Sequence, residues 1–424
     1  MTKHAYNSDI LVVGAGPAGL AAAVSAAESG LSVLVADDNG DRGGQIWRRD
    51  RAKDPSREAS SWFERIRNSQ IEFLGGTQIF DRVEENSVIA ETPGGVAELS
   101  FFKMILATGA RERFLPFPGW TLPNVFGAGG LQALVKGGLS VTGKRVIVAG
   151  SGPLLLAVAA YLRKHDANVL MIAEQASKKS LTSFGLSLLR QPGKVSQALD
   201  FRKLLRGVPY YTNCWPTIAF GDSTLKGVRL VRGRKTQEAD CDLLACGFHL
   251  IPNLELPQLL GCATQDGGVC VDEFQKTSVD NVYAAGEVTG IGGLELSLVE
   301  GEIAGLSAVD RHVSAQKLFS KRAGLKAFAA VLEKTFALRP ELKRLAKSET
   351  IVCRCEDVSY NELDGFESWR DAKLQTRCGM GPCQGRICGG AVQFLFGWRV
   401  DSVRPPIFPV RLESLVSREP DAQT

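Results

Sequence analysis

The sequence is poor in histidine, the side chain that most often does acid–base work near neutral pH. Its four histidines, His4, His165, His249 and His312, are scattered singly through 424 residues. An isolated histidine is more often a surface or satisfied core residue than a catalyst. No HExxH helix, nucleophile elbow or phosphate-loop GK[ST] occurs, so the motifs of zinc proteases, α/β-hydrolases and P-loop enzymes are missing. An excess of charge is missing too. Lys+Arg 50 against Asp+Glu 46 leaves only +4, and with no basic stripe interleaved with aromatics this excludes nucleic acid as a partner. Cysteine is absent before Cys214, and ten in all are too few for a disulfide scaffold. Long unbroken apolar runs are also lacking. Ile10–Ala27 and Val146–Leu162 approach membrane-spanning length, but a glycine/proline cluster interrupts each. The start, MTKHAYNSDI, lacks the basic flank, apolar core and cleavage site of a signal peptide, so a reducing cytoplasm is the expected location.

What is present is ordinary globular composition, 44% hydrophobic and 23% charged, in a chain long enough for two to four domains. Asp9–Val13 reads as a strand, Gly14–Gly19 as a turn, Leu20–Ser29 as an alanine-rich helix and Leu31–Ala36 as a second strand. That is a parallel crossover unit. Lys144–Ala149, Gly150–Pro153, Leu154–Lys164 and Asn168–Ala173 repeat it about 135 residues on, which predicts two nucleotide-type domains rather than one barrel. Phe102–Gly109 and Val282–Glu287 read as further strands, and Ser314–Lys347 as basic amphipathic helices. From Ile351 the composition shifts to cysteine and glycine, and RPPIFPV in the tail predicts an extended strap. Trp47, Trp120 and Trp215 are expected to pack rather than to form a cofactor box.

Three motifs carry chemistry. In the first, GAGPAG, Gly14 permits the tight turn, Gly16 lets a pyrophosphate approach the backbone, and Gly19 allows close helix–strand packing. The helix N-terminus offers free N–H groups to phosphate. Asp37, 18 residues past Gly19, is placed to bind ribose hydroxyls, with Asp38 the neighbouring alternative. The second motif, GSGPLL, keeps Gly150 and Gly152 but has Leu155 at the third glycine position. Glu174 ends the following strand and favours NAD or ATP over NADP, unless the fold is retained without a nucleotide. In the third, Cys353, Cys355, Cys383 and Cys388 form two close pairs suited to an iron–sulfur cluster or to zinc, with Cys378 an extra or alternative ligand. Arg111 and Arg113 either neutralise a phosphate or form a solvated turn. No residue stands out as a catalytic acid or base.

GAGPAG, the GGQIW stretch from Gly43, LATGAR from Leu106 and VYAAGE from Val282 resemble the two-dinucleotide-binding flavoprotein superfamily. The resemblance implies FAD at Gly14, Gly16, Gly19, Asp37, Gly44, Gln45, Thr108, Gly109, Gly286 and Glu287, the last standing where the superfamily usually has Asp. Its disulfide reductases carry a CxxxxC pair soon after the double glycine. None follows here, so dithiol reduction beside the flavin is not expected. CxC…GMGxCQGxxC resembles the small ferredoxin domain related to bacterioferritin-associated ferredoxin, which implies a 2Fe–2S cluster.

Taken over nearly the whole chain, GGQIWR, ATGARERFLPFPGWTLPNVFGAGG, AGSGPLLLAVA, CRCEDV, GMGPCQGRICGG and RPPIFPV resemble one group. It comprises the FAD-binding large (α-type) subunits of heteromeric dye-linked amine dehydrogenases. Its members include the large subunit of opine oxidase, the B subunit of hydrogen cyanide synthase, and the α subunits of proline and D-hydroxyproline dehydrogenases. The middle of heterotetrameric sarcosine oxidase α is similar. The resemblance implies an α/β flavoprotein with two glutathione-reductase-like Rossmann domains and a small helical C-terminal Cys-rich 2Fe–2S domain. The implied partner is an amine-oxidising FAD β subunit, with FMN at the interface and a small ferredoxin-like 2Fe–2S γ subunit in some members. The acceptor is a quinone or dye, which is compatible with peripheral contact at the inner face of the membrane. NADH-dependent reduction is the alternative. The expected boundaries are 1–118 and 271–315 for the FAD domain, 119–270 for the second nucleotide domain, 316–350 for a helical linker, 351–397 for the cluster domain and 398–424 for the tail.

Overall fold

The computed structural model describes residues 4–48, 57–188, 192–400 and 403–416. The chain divides into two compact units. One comprises residues up to Arg111, Ile251–Ala329 and the tail from residue 401; the other comprises Glu112–Leu250 and Ala330–Val400.

The first unit is built on a seven-stranded sheet. Strands β1 (His4–Val13), β2 (Val33–Asp37), β3 (Ile71–Gly75), β4 (Gln78–Glu84), β5 (Ser87–Thr92) and β6 (Gly95–Leu106) lie in the order β3-β2-β1-β6-β5-β4. On the side away from β1, β6 serves two further neighbours. Its first half pairs antiparallel with β5, and its last three residues pair parallel with Val282–Ala284. The glycine turn follows β1, and helix α1 (Pro17–Ala27) opens with proline in its first turn, where the missing N–H costs nothing. Ten of the eleven residues of α1 are buried, because Leu294–Ala308 packs against it and both helices present small residues. A Cβ on Gly301 would lie 2.2 Å from the Ala18 carbonyl oxygen, and one on Gly305 2.3 Å from that of Ala22. The tail joins this unit. Ile407 donates its N–H to the Phe80 carbonyl at 2.8 Å and is buried, and Leu412–Val416 forms a short helix rather than continuing extended.

The second unit repeats the theme with five parallel strands, in the order Tyr210–Thr212, Asn168–Glu174, Arg145–Ser151, Leu243–Phe248 and Val125–Gly127. A three-stranded antiparallel sheet of Cys214–Phe220, Gly227–Arg232 and Lys235–Asp240 adjoins it. The cysteine-rich segment forms a hairpin, Ile351–Cys353 with Val358–Ser359, and helices Trp369–Thr376 and Cys388–Phe396 around a core of Val352, Leu363, Trp369 and Val392. Trp120 donates its indole N–H to the Ile351 carbonyl at 2.6 Å. Trp47, Trp120 and Trp215 are all buried. Among the described residues no helix is long and apolar enough to cross a membrane.

The first glycine turn is the tightest packing in its sheet. A Cβ on Gly14 would lie 2.2 Å from the Ala107 carbonyl oxygen, and one on Gly19 1.8 Å from that of Gly14. Gly19→Ala is expected to cost about 3 kcal/mol, the upper end for overpacking. A lowered urea midpoint checks this, and an unchanged midpoint would refute it.

Candidate functional site

Four separated stretches meet at the carboxyl end of the first sheet, where α/β folds bind ligands. Gly43 donates its N–H to the Ala15 carbonyl at 2.8 Å. Gly44, with φ at 55°, brings its backbone so close that a Cβ would sit 2.8 Å from Gly16 Cα. Gly286, φ 78°, rests on the first turn of α1, where a Cβ would lie 2.6 Å from that of Ala18. Thr108 and Gly109 close the group at the end of β6. Gly16 itself is open, with no neighbour nearer than Gly44 Cα at 4.0 Å from its ideal Cβ, and no side chain caps α1. An uncapped helix N-terminus behind an open glycine is a cradle for pyrophosphate.

The acids around this cradle are arranged unequally. Asp37 is 8% exposed; its Oδ2 accepts the Ala15 N–H and its Oδ1 the Asn39 N–H at 2.7 Å. It therefore braces the turn, while Asp38 beside it is exposed. Glu287 Oε1 accepts the Gly293 N–H at 2.8 Å, but its Oε2 is buried with no hydrogen-bond partner. Burial, with a contribution from Glu300, pushes the Glu287 carboxyl up to about 7. A buried lone oxygen at this place is matched to a hydroxyl donor on a ligand.

Two residues with no signal in the sequence complete the arrangement. Asn253 donates through Nδ2 to the Thr108 carbonyl at 2.8 Å and accepts the Thr108 hydroxyl at its own carbonyl at 2.9 Å. It also takes Arg111 Nη1 at 2.8 Å, and that guanidinium pairs with Glu255 at 2.9 Å. Arg111 is thereby neutralised by protein. Glu300, 1% exposed, accepts the Gly286 N–H and the Thr289 hydroxyl, both at 3.1 Å, and lies 3.4 Å from Lys326 Nζ. Single polar residues in helices and loops carry no periodicity or motif that would have marked them.

The second glycine turn is built differently. A Cβ on Gly150 would strike the Gly247 carbonyl oxygen at 1.9 Å, and Leu155 is fully buried in the place of the third glycine. Glu174 is 0% exposed and points inward, accepting the Gly152 and Ala176 N–H groups at 2.8 Å each. Burial pushes its carboxyl up to about 7.

The five clustered cysteines separate into two groups. Cys353, Cys378 and Cys388 are buried, with sulfurs all within 4.8 Å of one another. Cys355 is exposed and Cys383 half-buried; both are free thiols, in hydrogen-bond contact with each other. Left-handed conformations at Arg377, Gly379, Gln384 and Gly385 wind the loop tightly enough to bring the buried three together. Cys378 and Cys388 hydrogen-bond to the Cys353 sulfur and hold that thiol far below its ordinary range. The Gly379 N–H adds a contact at 3.4 Å. Three buried sulfurs within 4.8 Å of one another are a donor set suited to a soft metal or an iron–sulfur centre.

The model of the pyridine nucleotide-disulphide oxidoreductase family matches residues 8–304, well over half of the chain. The chain belongs to this family. The opine oxidase A subunit of Rhizobium meliloti is 30% identical, the match covering 95% of this chain and 97% of that one. Hydrogen cyanide synthase subunit HcnB of Pseudomonas aeruginosa is 28% identical over 90% of each chain. In fold, the L-proline dehydrogenase from P. horikoshii is similar over 98% of this chain and 80% of that one, with TM-score 0.68 at 19% identity. The chain is thus a flavoprotein oxidoreductase related to enzyme subunits. Family membership implies FAD, and the residues fit it: an open Gly16, an uncapped α1 and an orphaned Glu287 oxygen.

Two outcomes are expected. Gly16→Ala has room for its Cβ and should fold normally, yet retain FAD at least tenfold more weakly, about 1.4 kcal/mol; absorbance of the desalted protein reads this. Glu174 binds its proton more tightly folded, at about 7 against 4.5 unfolded. Its contribution is therefore best below pH 4.5 and is lost as pH rises through about 7, a change of about 3 kcal/mol. Glu174→Gln should flatten that slope in unfolding measured across the window, whatever it does to the absolute level.

Proposed function

We propose that this chain is the electron-transferring, FAD- and 2Fe–2S-holding subunit of a heteromeric dehydrogenase whose substrate is an amino acid or opine of the proline, hydroxyproline or opine type. The observation that carries the reading is the coexistence, in one chain, of a flavin-type cradle and a five-cysteine cluster with no acid–base pair marked for substrate. The relatives matched along 90% or more of their length are themselves named as subunits.

In this reading FAD lies along Gly14, Gly16, Gly19, Asp37 or Asp38, Gly44, Gln45, Thr108, Gly109, Gly286 and Glu287. The cluster is held by Cys353, Cys355, Cys383 and Cys388, with Cys378 as the alternative ligand. When bound, these groups supply electron storage and transfer, the part of the chemistry that side chains cannot perform. The protein's own contribution would be to orient them: the α1 N-terminus would face the pyrophosphate, Glu287 Oε2 would accept a hydroxyl, and Cys353 and Cys388 would offer the metal sulfurs from the buried core. A partner β subunit oxidises the Cα–N bond to an imine, and both electrons leave through this chain to a quinone or dye. In some members of the group, FMN at the subunit interface and a small ferredoxin-like 2Fe–2S γ subunit complete the assembly. A quinone acceptor would be compatible with peripheral contact at the inner face of the membrane.

Affinity purification of the tagged chain from its native cells tests this. A second flavoprotein of amine-oxidising type should co-purify. A chain recovered alone with FAD and iron, and bleached by NADH, would replace the reading with a self-sufficient reductase. Within the complex, Cys383→Ser should keep flavin, lose iron and slow dye-linked turnover at least tenfold, about 1.4 kcal/mol in barrier. Turnover equal to wild type would remove the cluster from the electron path.

A further inference from the structure

Asp37 and Glu287 both border the first glycine cradle, and they differ in what their oxygens have left to bond. Asp37 spends Oδ2 on the Ala15 N–H and Oδ1 on the Asn39 N–H. Glu287 spends only Oε1, on the Gly293 N–H at 2.8 Å, and its buried Oε2 has no partner. Glu287 is thus the acid with a free acceptor, and where that acceptor points depends on the turn that carries it.

The turn is fixed from outside itself. Gly286, left-handed at φ 78°, lies so close to α1 that a Cβ on it would sit 2.6 Å from the Ala18 Cβ. Its carbonyl accepts the Thr289 N–H at 2.8 Å, which closes the turn locally. Its own N–H leaves the turn and goes to Glu300 Oε2 at 3.1 Å, the oxygen that also takes the Thr289 hydroxyl at 3.1 Å. Glu300 stands on the helix Leu294–Ala308, and Gly293, which holds the Glu287 side chain, is the cap of that same helix. One helix therefore grips the acid twice, through the backbone before it and through its Oε1, and leaves Oε2 free.

Glu300 is 1% exposed, a position strongly disfavoured for a carboxylate unless it is paired and hydrogen-bonded. Burial raises its carboxyl, and Lys326, half-exposed and 3.4 Å from Oε1, works against that rise together with Thr289 and Gly286. Among the described residues its polar contacts are this counter-ion and the Gly286 turn. A charge buried at this cost to the fold is spent on the turn alone.

We infer that Glu300 is a positioning residue for FAD: it clamps the Gly286–Glu287 turn so that the unpaired Glu287 oxygen is presented to a hydroxyl of the cofactor, and it acts on the flavin only through Glu287. The inference rests on the FAD assignment and deepens it by naming a residue outside the glycine motifs that governs how firmly the cofactor is held.

The test is a double-mutant cycle on the full-length chain loaded with FAD, in which fluorescence reads the free flavin released at equilibrium. Glu300→Ala and Glu287→Ala should each weaken FAD binding at least about tenfold, the loss expected when a hydrogen bond to a charged group is removed. Glu300→Gln keeps an acceptor oxygen for the Gly286 N–H and should stay within about threefold of wild type. With Ala at both positions, binding should match Glu287→Ala alone, because a clamp has no effect once the oxygen it aims is gone. Losses that multiply in the double variant, a Gln variant as weak as the Ala one, or a Glu300→Ala protein that binds like wild type would each overturn the inference. Wild type that takes up no FAD would remove the cofactor assignment itself and the inference with it, a failure distinct from the others. If Glu300→Ala does not fold, Thr289→Val takes its place in the cycle, since it removes the hydroxyl bonded to the same carboxylate. Weakening that vanishes in the Glu287→Ala background then supports the clamp, and unchanged binding overturns it.

Discussion

Steric exclusion around α1 is the constraint on which the first unit depends. The helix must lie against β1, β6 and Leu294–Ala308 at once, and it can do so only where side chains are missing. Gly14, Gly19, Gly301 and Gly305 each stand where a Cβ would lie within 2.3 Å of a carbonyl oxygen. The same closeness aims the helix N-terminus across the carboxyl edge of the sheet. Packing and ligand geometry therefore have one cause: the residues that let the helix in also leave its first N–H groups uncapped and facing Gly16.

The second unit starts from nearly the same local sequence and reaches a different end. Gly150 keeps the tight turn, since a Cβ there would meet the Gly247 carbonyl oxygen at 1.9 Å. With Leu155 buried in place of the third glycine, the turn still supports a parallel sheet of five strands. What changes is what the neighbouring side chains bond. Ser151, Gln175 and His249 converge on one backbone carbonyl, and a buried hydrogen-bonded network of that kind is costly to disrupt because each freed group would lack a partner. The segment around Phe336 is thereby tied to the second glycine turn, a contact that the first turn does not have in this form.

The cysteine-rich segment shows how spacing and position differ as sources of information. CRC and CQGRIC suggest two equivalent pairs, and either Cys378 or Cys388 can be set beside Cys383 on spacing alone. Tertiary structure sorts them by depth. Cys353, Cys378 and Cys388 share a buried core with Trp369 and Val392, while Cys355 and Cys383 stay nearer the surface. The separation follows from the left-handed residues of the intervening loop, whose turns cannot be read from cysteine spacing.

The two βαβ units, the glycine turns and the cysteine cluster are legible in the residues alone, because each is written in a contiguous stretch whose roles are local: a turn needs glycine, a helix start tolerates proline, a crossover needs about thirty residues. Silence falls on β4 and β5, whose short strands offer little alternation, and on the antiparallel sheet of Cys214–Asp240. The orientation of the acids belongs to the folded chain. Asp37 and Glu174 occupy comparable strand ends, yet both turn onto their glycine loops, while Glu287 keeps one oxygen unpaired. Folding likewise brings Asn253 to Thr108, 145 residues away, and Phe336 to Ser151, 185 residues away. The physical reason is the same throughout. A hydrogen bond is set by where two groups come to lie in space, and contacts so distant along the chain leave no period and no spacing in the residues that make them.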